Sequence, residues 1–541
     1  MQVMGSGKLY LLARVEWTVA VILSATVLFL LIVRMTHAGA LDRDECDALN
    51  LARMPHWSDI RENLRYTAFP ILFPATVRTY THLFGISDFT LRFFGMFAGV
   101  LMLSAAWFYS RSVTRQVPLL LPALVGLNIN FLTTGSWVRG YGLGSLMTVL
   151  AFVLTAKLLL QPSLRRLAGV FFAYLAAMQL LFFNGALVPA IVLGAIVVFL
   201  ENKKLHWVWL LAAAAAVCAI FYLPYLVVIF SSVSKWAMLV QFPLSISAML
   251  GQWVDACGGS HLSVSVAWLT VVLLALTGAC WRLRTVWGKG ESQERSMLLF
   301  GVASVVLCVL AYFAFLRVAH NRLQERHYLD LICLVAVATD LIVATLCWNY
   351  RIRLARLIIV IVVVITLPAV AWPRVVERQT NIDAIAAQLA QDAHPDDLII
   401  VSPWWLGISF GHYYQGANRW MTVPEIPDHR IHRYDLLKSK MTEFFPLSDV
   451  ESAVEDALKS GHRVWIVGRL GLEERGSPPI LAPAPDPKYG WSNYAYTKAW
   501  WTQLGFLVRQ HAEKIEPVMQ VKHSVREWEN FPLLVAEGWR Y

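Results

Sequence analysis

Along the first 372 positions, apolar runs of about twenty residues alternate with short polar segments. A helix rises 1.5 Å per residue, so such a run matches the roughly 30 Å hydrocarbon core of a bilayer. The runs lie near 17–36, 92–110, 118–134, 142–160, 167–183, 185–200, 207–230, 262–281, 297–316, 329–348 and 355–372, and they predict eleven transmembrane helices. The stretch 167–200 is too long for one helix, and Asn184 with Gly185 offers its break. The first run, "WTVAVILSATVLFLLIVRM", lacks a small-residue cleavage site and reads as a retained span rather than a signal peptide. Beyond "PAVAWPRVVERQ" the pattern changes. Helix-like "NIDAIAAQLAQDA" precedes apolar "DLIIVSPWW", and "LSDVESAVEDALKSG" precedes "HRVWIVGRLG". Helices that alternate with short buried strands predict a separate soluble α/β domain over 373–541, with 1–372 forming the transmembrane domain. Within it, Pro-rich "SPPILAPAPDPKYG" reads as an exposed loop.

Composition agrees with a multi-pass membrane protein. Of 541 residues 57% are hydrophobic and 15% charged, against about 25% charged in soluble domains. The formal charge of +10 does not indicate a nucleic-acid partner. Lys and Arg sit in short clusters between apolar runs rather than on one basic face. Lys8 and Arg14, Arg111 and Arg115, Arg165 and Arg166, Lys203 and Lys204, Arg282, Arg284, Lys289 and Arg295, and Arg351, Arg353 and Arg356 all fall on one parity of connection. By the positive-inside rule that parity, with the N-terminus, is cytoplasmic. The segment 38–91, the loops 231–261 and 317–328 and the C-terminal tail then face out. Loop 231–261, with Lys235, Trp236, Gln241 and Trp253, is long enough to cover a site. Seven cysteines show no metal-ligand spacing. Cys46 and Cys257 fall in outer loops, where an oxidising compartment would let them pair.

The outer loops carry the candidate chemistry. "LDRDECDALNLAR" crowds Asp42, Asp44, Glu45 and Asp47 at the lipid boundary, where an ionised carboxylate is costly without a partner or a role. "GSWVRGYGLGS" places Arg139 and Tyr141 at an outer mouth among glycines that permit close backbone approach. "RVAHNRLQERHYLD" gathers Arg317, His320, Arg322, Arg326 and His327 before another span. A guanidinium offers anionic oxygens a bidentate fork, which suits phosphate, although snorkelling to head groups accounts for any one arginine alone. His56, His261 and His412 lie in outward regions without paired ligand spacing and read as structural.

In order, these motifs resemble the GT-C glycosyltransferases, in particular the bacterial relatives of protein O-mannosyltransferases and of the lipid A aminoarabinose transferase. The family's Asp-Glu pair after the first span is matched by Asp44 and Glu45. Its double-proline stretch, amphipathic segment ending in Gly, and following Arg are matched by "FPILFPATVRTYTHLFGISDFTLRFFGMFAGVL", with Phe69 and Pro70, Gly85 and Arg92. Its Arg-x-Tyr is matched by Arg139 and Tyr141, and its late Arg-Tyr by Arg326 and Tyr328, with His327 between them. The resemblance makes 68–84 a helix lying along the outer surface, with Arg78 and His82 on its polar side, rather than a further span.

The resemblance implies a transferase of the bacterial inner membrane with a periplasmic C-terminal domain. It would move a sugar from a polyprenyl-phosphate donor to a glycan, lipid or protein acceptor, inverting the anomeric carbon. Phosphate is a good leaving group, so the chemistry needs pre-organised cations, with Arg139, Arg322 and Arg326 as candidates beside Tyr141, His327 and Tyr328. The acceptor must lose a proton, and Asp44 is the candidate base, with Glu45 positioning the acceptor or pairing with an arginine. On a helix Asp44 and Asp47 share a face whereas Asp44 and Glu45 do not. Two carboxylates could also hold a divalent cation, and whether a metal is used stays open. The rival readings are a lipid or glycan transporter and a non-catalytic assembly subunit. A transporter would place its ionisable groups near the bilayer midplane, where Asp340 is the clearest internal acid.

Overall fold

The computed structural model describes residues 3–236, 245–287, 292–319, 324–472, 477–519 and 524–541. The chain opens with α1 (Val3–His37), α2 (Arg43–Ala52), α3 (Trp57–Asn63), α4 (Leu72–Phe84), α5 (Asp88–Tyr109) and α6 (Ile129–Thr133). It continues through α7 (Gly140–Leu160), α8 (Leu164–Leu180), α9 (Asn184–Glu201), α10 (Leu205–Trp236), α11 (Ile246–Gly258), α12 (Leu262–Val286), α13 (Gln293–Ala319), α14 (Leu329–Leu346) and α15 (Tyr350–Val376). After these come α16 (Ile382–Asp392), β1 (Leu398–Ser402), α17 (Gly407–Tyr413), β2 (Trp420–Thr422), α18 (Tyr434–Met441), α19 (Ser448–Lys459), β3 (Val464–Gly468), α20 (Asn493–His511), β4 (Lys514–Met519) and β5 (Leu533–Glu537). They form two compact units, one of Met1–Thr36, Ala68–Ile229 and Pro243–Val376, the other of His37–Thr67, Phe230–Phe242 and Glu377–Tyr541.

The first unit is a helical bundle. Among the described residues nine helices are long and apolar enough to cross a membrane. The other two predicted crossings take different forms. α8 is 17 residues long, and 118–134 is broken into a π-turn at Pro122–Gly126 and the short α6, whose N-terminus Asn128 caps by accepting from the Phe131 amide. Pro118 and Pro122 lack the amides a continuous helix would need there. α14 is buried all round, with Leu331 through Val337 at 0% exposure, as an evenly apolar helix at the centre of a bundle must be. The outer helices expose apolar side chains such as Ile220, Leu274 and Ile365, a surface suited to lipid rather than water. α4, at 13 residues, is about 20 Å long. That is too short to span, as expected for a surface helix. It buries Phe73, Pro74 and Val77 and exposes His82, while Arg78 is half-buried.

The basic cluster in the first turns of α15 is tied to α1. Glu16, 1% exposed, receives Arg353 and Arg356, the latter at 2.9 Å. Arg356 also reaches Gln116, which donates to the Ala344 carbonyl at 2.7 Å. A buried carboxylate without these partners would be strongly unfavourable.

The second unit is α/β. Its sheet has the order β2-β1-β3-β5-β4, with β2, β1 and β3 parallel and β5 antiparallel to both its neighbours. The predicted strands became β1 and β3 and the predicted helices α16 and α19. Alternate strand residues face opposite layers. Ile399 and Val401 pack with Ile382, Ile385 and Leu389 of α16, whereas Ile400 and Ile466 pack with Val450 and Val454 of α19 and Trp500 and Leu504 of α20.

The sequence reading grouped 38–91 with the transmembrane part, but His37–Thr67 clusters with the C-terminal chain. Gln379 N–H donates to the Ala38 carbonyl at 2.7 Å, Leu41 N–H to the Tyr413 hydroxyl at 2.7 Å, and Asn50 Nδ2 to the Arg430 carbonyl at 2.9 Å. Cys46 and Cys257 are each buried as free thiols.

Candidate functional site

In the helical unit the expected phosphate-binding residues come together around a folded glycine segment. Arg139 is the N-cap residue of α7 and is 8% exposed. Its guanidinium lies over the Phe69 ring at 5.0 Å and the Tyr141 ring at 5.8 Å, distances at which a ring quadrupole attracts a cation. Glycines make the approach possible. A β-carbon on Gly142 would overlap the Gly135 carbonyl, and one on Gly140 would come within 2.7 Å of both the Leu180 carbonyl and Phe69.

The second segment meets the first through rings. Tyr141 and His327 have centroids 6.5 Å apart, His327 stacks on Phe183 at 5.1 Å, and Arg326 lies over Trp137 at 5.7 Å. The 3₁₀ turn Glu325–Tyr328 that carries them is fixed at several points. Tyr312 donates to the His327 carbonyl, Tyr328 donates to the Met249 carbonyl at 2.9 Å, and Ser260 donates to Glu325 at 2.7 Å. Tyr328 is wholly buried and packs against Tyr312 and Phe313, so it holds the turn. Arg322 and His320 lie outside the described residues.

Loop 231–261 is in part not a free cover. Its second half is α11, which receives Asn128 Nδ2 at Cys257 and Asn130 Nδ2 at Ala256, both at 2.9 Å. Trp253 packs edge-on against Phe313, while Gln241 lies outside the described residues.

Two features here escaped the sequence reading. Asp330, 1% exposed, accepts from the Ser145 hydroxyl and joins α14 to α7; it reads in sequence as one more charge at a span boundary. An apolar groove of about 740 Å³ lies between α4, α7, α8 and α10, lined by Ile71, Leu72, Leu150, Phe172, Gln179 and Tyr225. It begins two residues along the chain from Phe69.

In the α/β unit, the acidic segment is α2 and its surroundings. Asp42 is the N-cap residue: its Oδ1 accepts from Glu45 N–H at 2.9 Å, Glu45 Oε2 accepts from Asp42 N–H at 3.1 Å, and Gln379 donates to Asp42 Oδ2 at 2.7 Å. This capping box satisfies two amides that a helix start leaves over. Glu45 is 0% exposed, and its carboxylate turns back on its own helix, a structural partner the sequence did not announce. Arg43 lies 3.5 Å from Glu529 and over the Trp405 ring at 5.4 Å. Burial pushes the Glu529 carboxyl up to about 8, against the pull of Arg43.

Asp44 and Asp47 share a helix face, as expected, and both meet His432. Asp47 Oδ1 lies 3.1 Å from His432 Nδ1 and accepts from its backbone N–H at 2.8 Å. Asp44 Oδ1 lies 3.8 Å from His432 Nε2. The histidine gave no signal in sequence because its ligands arrive from a segment nearly four hundred positions earlier. His412 adjoins Tyr413, and His56 is the N-cap residue of α3. Among the described residues no three His, Cys, Asp or Glu side chains converge as a metal site requires. Asp44 and Asp47 face opposite nitrogens of one ring, so they do not fit a shared divalent ion.

No protein-family model matches the chain, and no curated protein matches it either. Solved structures do. The oligosaccharyltransferase of Archaeoglobus fulgidus in the apo form superposes with a TM-score of 0.50 at 12% identity, covering 95% of this chain and 75% of that one. The same protein tethered with an acceptor peptide gives 0.49 at 11% identity, over 95% and 74%. ArnT from Cupriavidus metallidurans bound to undecaprenyl phosphate gives 0.48 at 13% identity, over 95% and 97%. At such identities the likeness is one of fold: a polytopic helical part with a C-terminal sheet domain.

Proposed function

We propose that this chain is an inverting membrane glycosyltransferase that moves a sugar from a polyprenyl-phosphate carrier to an acceptor hydroxyl or amine. The observation that supports the reading is that Arg139 and Arg326 each lie over an aromatic ring, on two segments joined by the Tyr141–His327 contact. Fixed guanidinium groups stabilise a departing phosphate without reorganising as charge develops. The N-terminus of the 21-residue α7 follows Arg139 directly, and a helix start favours anions. The groove that opens near Phe69 is apolar along its length, which suits an isoprenoid chain whose phosphate rests at Arg139.

The base belongs to the α/β unit. Asp44 takes the proton of the attacking acceptor, while Glu45 serves to fold the helix start. Arg139, Arg326, Tyr141 and His327 bind the donor, Tyr328 supports them, and Arg322 belongs to the same basic segment. The alternation of basic connections supports an N-terminus on the cytoplasmic side and transfer at the outer face of a bacterial inner membrane.

The test is transfer itself. The full chain, reconstituted in liposomes with a panel of undecaprenyl-phosphate hexoses and pentoses and a cell-envelope acceptor extract, should release undecaprenyl phosphate. Failure with every donor that the membrane of origin contains would refute the reading.

A further inference from the structure

We infer that His432 is the positioning residue for Asp44, held in place by Asp47. The inference rests on the reading of Asp44 as the base. His432 is 7% exposed and little free to turn. Its ring stacks on Tyr434 at 5.7 Å and meets the Trp404 ring edge-on at 6.2 Å. Its backbone is tied as well, because Asp47 Oδ1 accepts from the His432 amide while also facing Nδ1. One carboxylate thus fixes both the main chain and one ring nitrogen, which aims the other nitrogen at Asp44.

Among the described residues, the charged groups seen against the ring are Asp44 and Asp47, both from α2. The rings of Trp404 and Tyr434 complete its walls. Arg433, next along the chain, turns instead to Asp428 at 2.8 Å and Asp435 at 2.7 Å. The ring therefore has an acidic partner at each nitrogen. A side chain oriented by a second carboxylate so that it presents one nitrogen to a reacting group is the logic by which buried imidazoles are aligned in catalytic sites. Here the imidazole aligns a carboxylate, selecting one rotamer of Asp44 before the acceptor arrives. A pre-oriented base reaches the attack geometry without first sorting its rotamers.

A double-mutant cycle tests this in the full-length protein, with release of undecaprenyl phosphate from an undecaprenyl-phosphate hexose as the readout and thermal unfolding as the folding control. His432→Gln should lower kcat about tenfold with the donor KM unchanged, and it should cause no further loss in the Asp44→Asn background. An equal loss in both backgrounds, or an unchanged kcat in folded His432→Gln, overturns the inference and leaves the base reading standing. Normal turnover by Asp44→Asn alone overturns both. Should His432→Gln fail to fold, Asp47→Asn carries the same cycle with the same expected outcomes.

Discussion

Tyr141 and His327 face each other with ring centroids 6.5 Å apart, one at the start of α7 and the other in the turn before α14. This contact brings two arginine-bearing segments, far apart in sequence, to one place in the helical bundle. Each arginine lies over an aromatic ring, Arg139 over Phe69 and Arg326 over Trp137. Aromatic backing holds each guanidinium in place.

Removing either cation should therefore weaken donor use before anything else. Arg139→Ala or Arg326→Ala is expected to raise the donor KM by about tenfold to a hundredfold, the range of a charge-assisted hydrogen bond. The acceptor KM should stay within about twofold. Steady-state kinetics with each substrate varied in turn checks this, and equal effects on both substrates would count against a phosphate role.

Asp44→Asn keeps the size and the helix face of the residue but removes its basicity. Transfer should fall at least about a hundredfold, the lower part of what general-base catalysis supplies. The thermal midpoint should be nearly unchanged, since Asp42 and Glu45 form the cap.

The bundle, the surface helix α4 and the alternation of β1 and β3 with their helices were legible because each depends on local periodicity. The shared face of Asp44 and Asp47 followed from helical geometry in the same way. What could not be read was where long-range partners come from. Glu45 looks like half of a reactive pair until Asp42 takes it into a capping box. His432 looks like any loop histidine until α2 docks on it. The crossing at 118–134 is largely apolar yet breaks, because prolines withhold amides that hydropathy does not count and Asn128 caps a new helix start. β4 and β5 were missed because Lys514, Glu516 and Pro517 interrupt the apolar alternation of the first, and the second passes as a short apolar run near the chain end.

Gly142 has no room for a side chain, as its β-carbon would overlap the Gly135 carbonyl. Because the neighbour is backbone, relief requires the 135–142 segment to shift. Gly142→Ala should cost about 1–3 kcal/mol, the usual range for overpacking, and displace Arg139. Thermal unfolding in detergent should show the loss, and donor binding should weaken with it.

His429 gives the α/β unit an acid-sensitive element. Burial against Trp420, whose ring lies 4.5 Å away, lowers its pKa to about 4, with Asp428 opposing the shift. The folded state therefore prefers the neutral ring. Its contribution to stability is complete above the unfolded value of about 6.5 and is lost as pH falls from there towards about 4. His429→Gln should flatten the decline of the thermal midpoint between pH 6.5 and 4.5, and an identical decline in both proteins would refute this assignment.

On the proposed function, the helical unit holds a polyprenyl phosphate, its anion at Arg139 and its chain along the groove lined by Ile71, Phe172 and Tyr225. Native mass spectrometry of the protein extracted from its own membrane measures this most directly. The account predicts a bound polyprenyl phosphate or its sugar-linked form, lost in Arg139→Ala. Ordinary phospholipid alone, unaffected by that substitution, would contradict it.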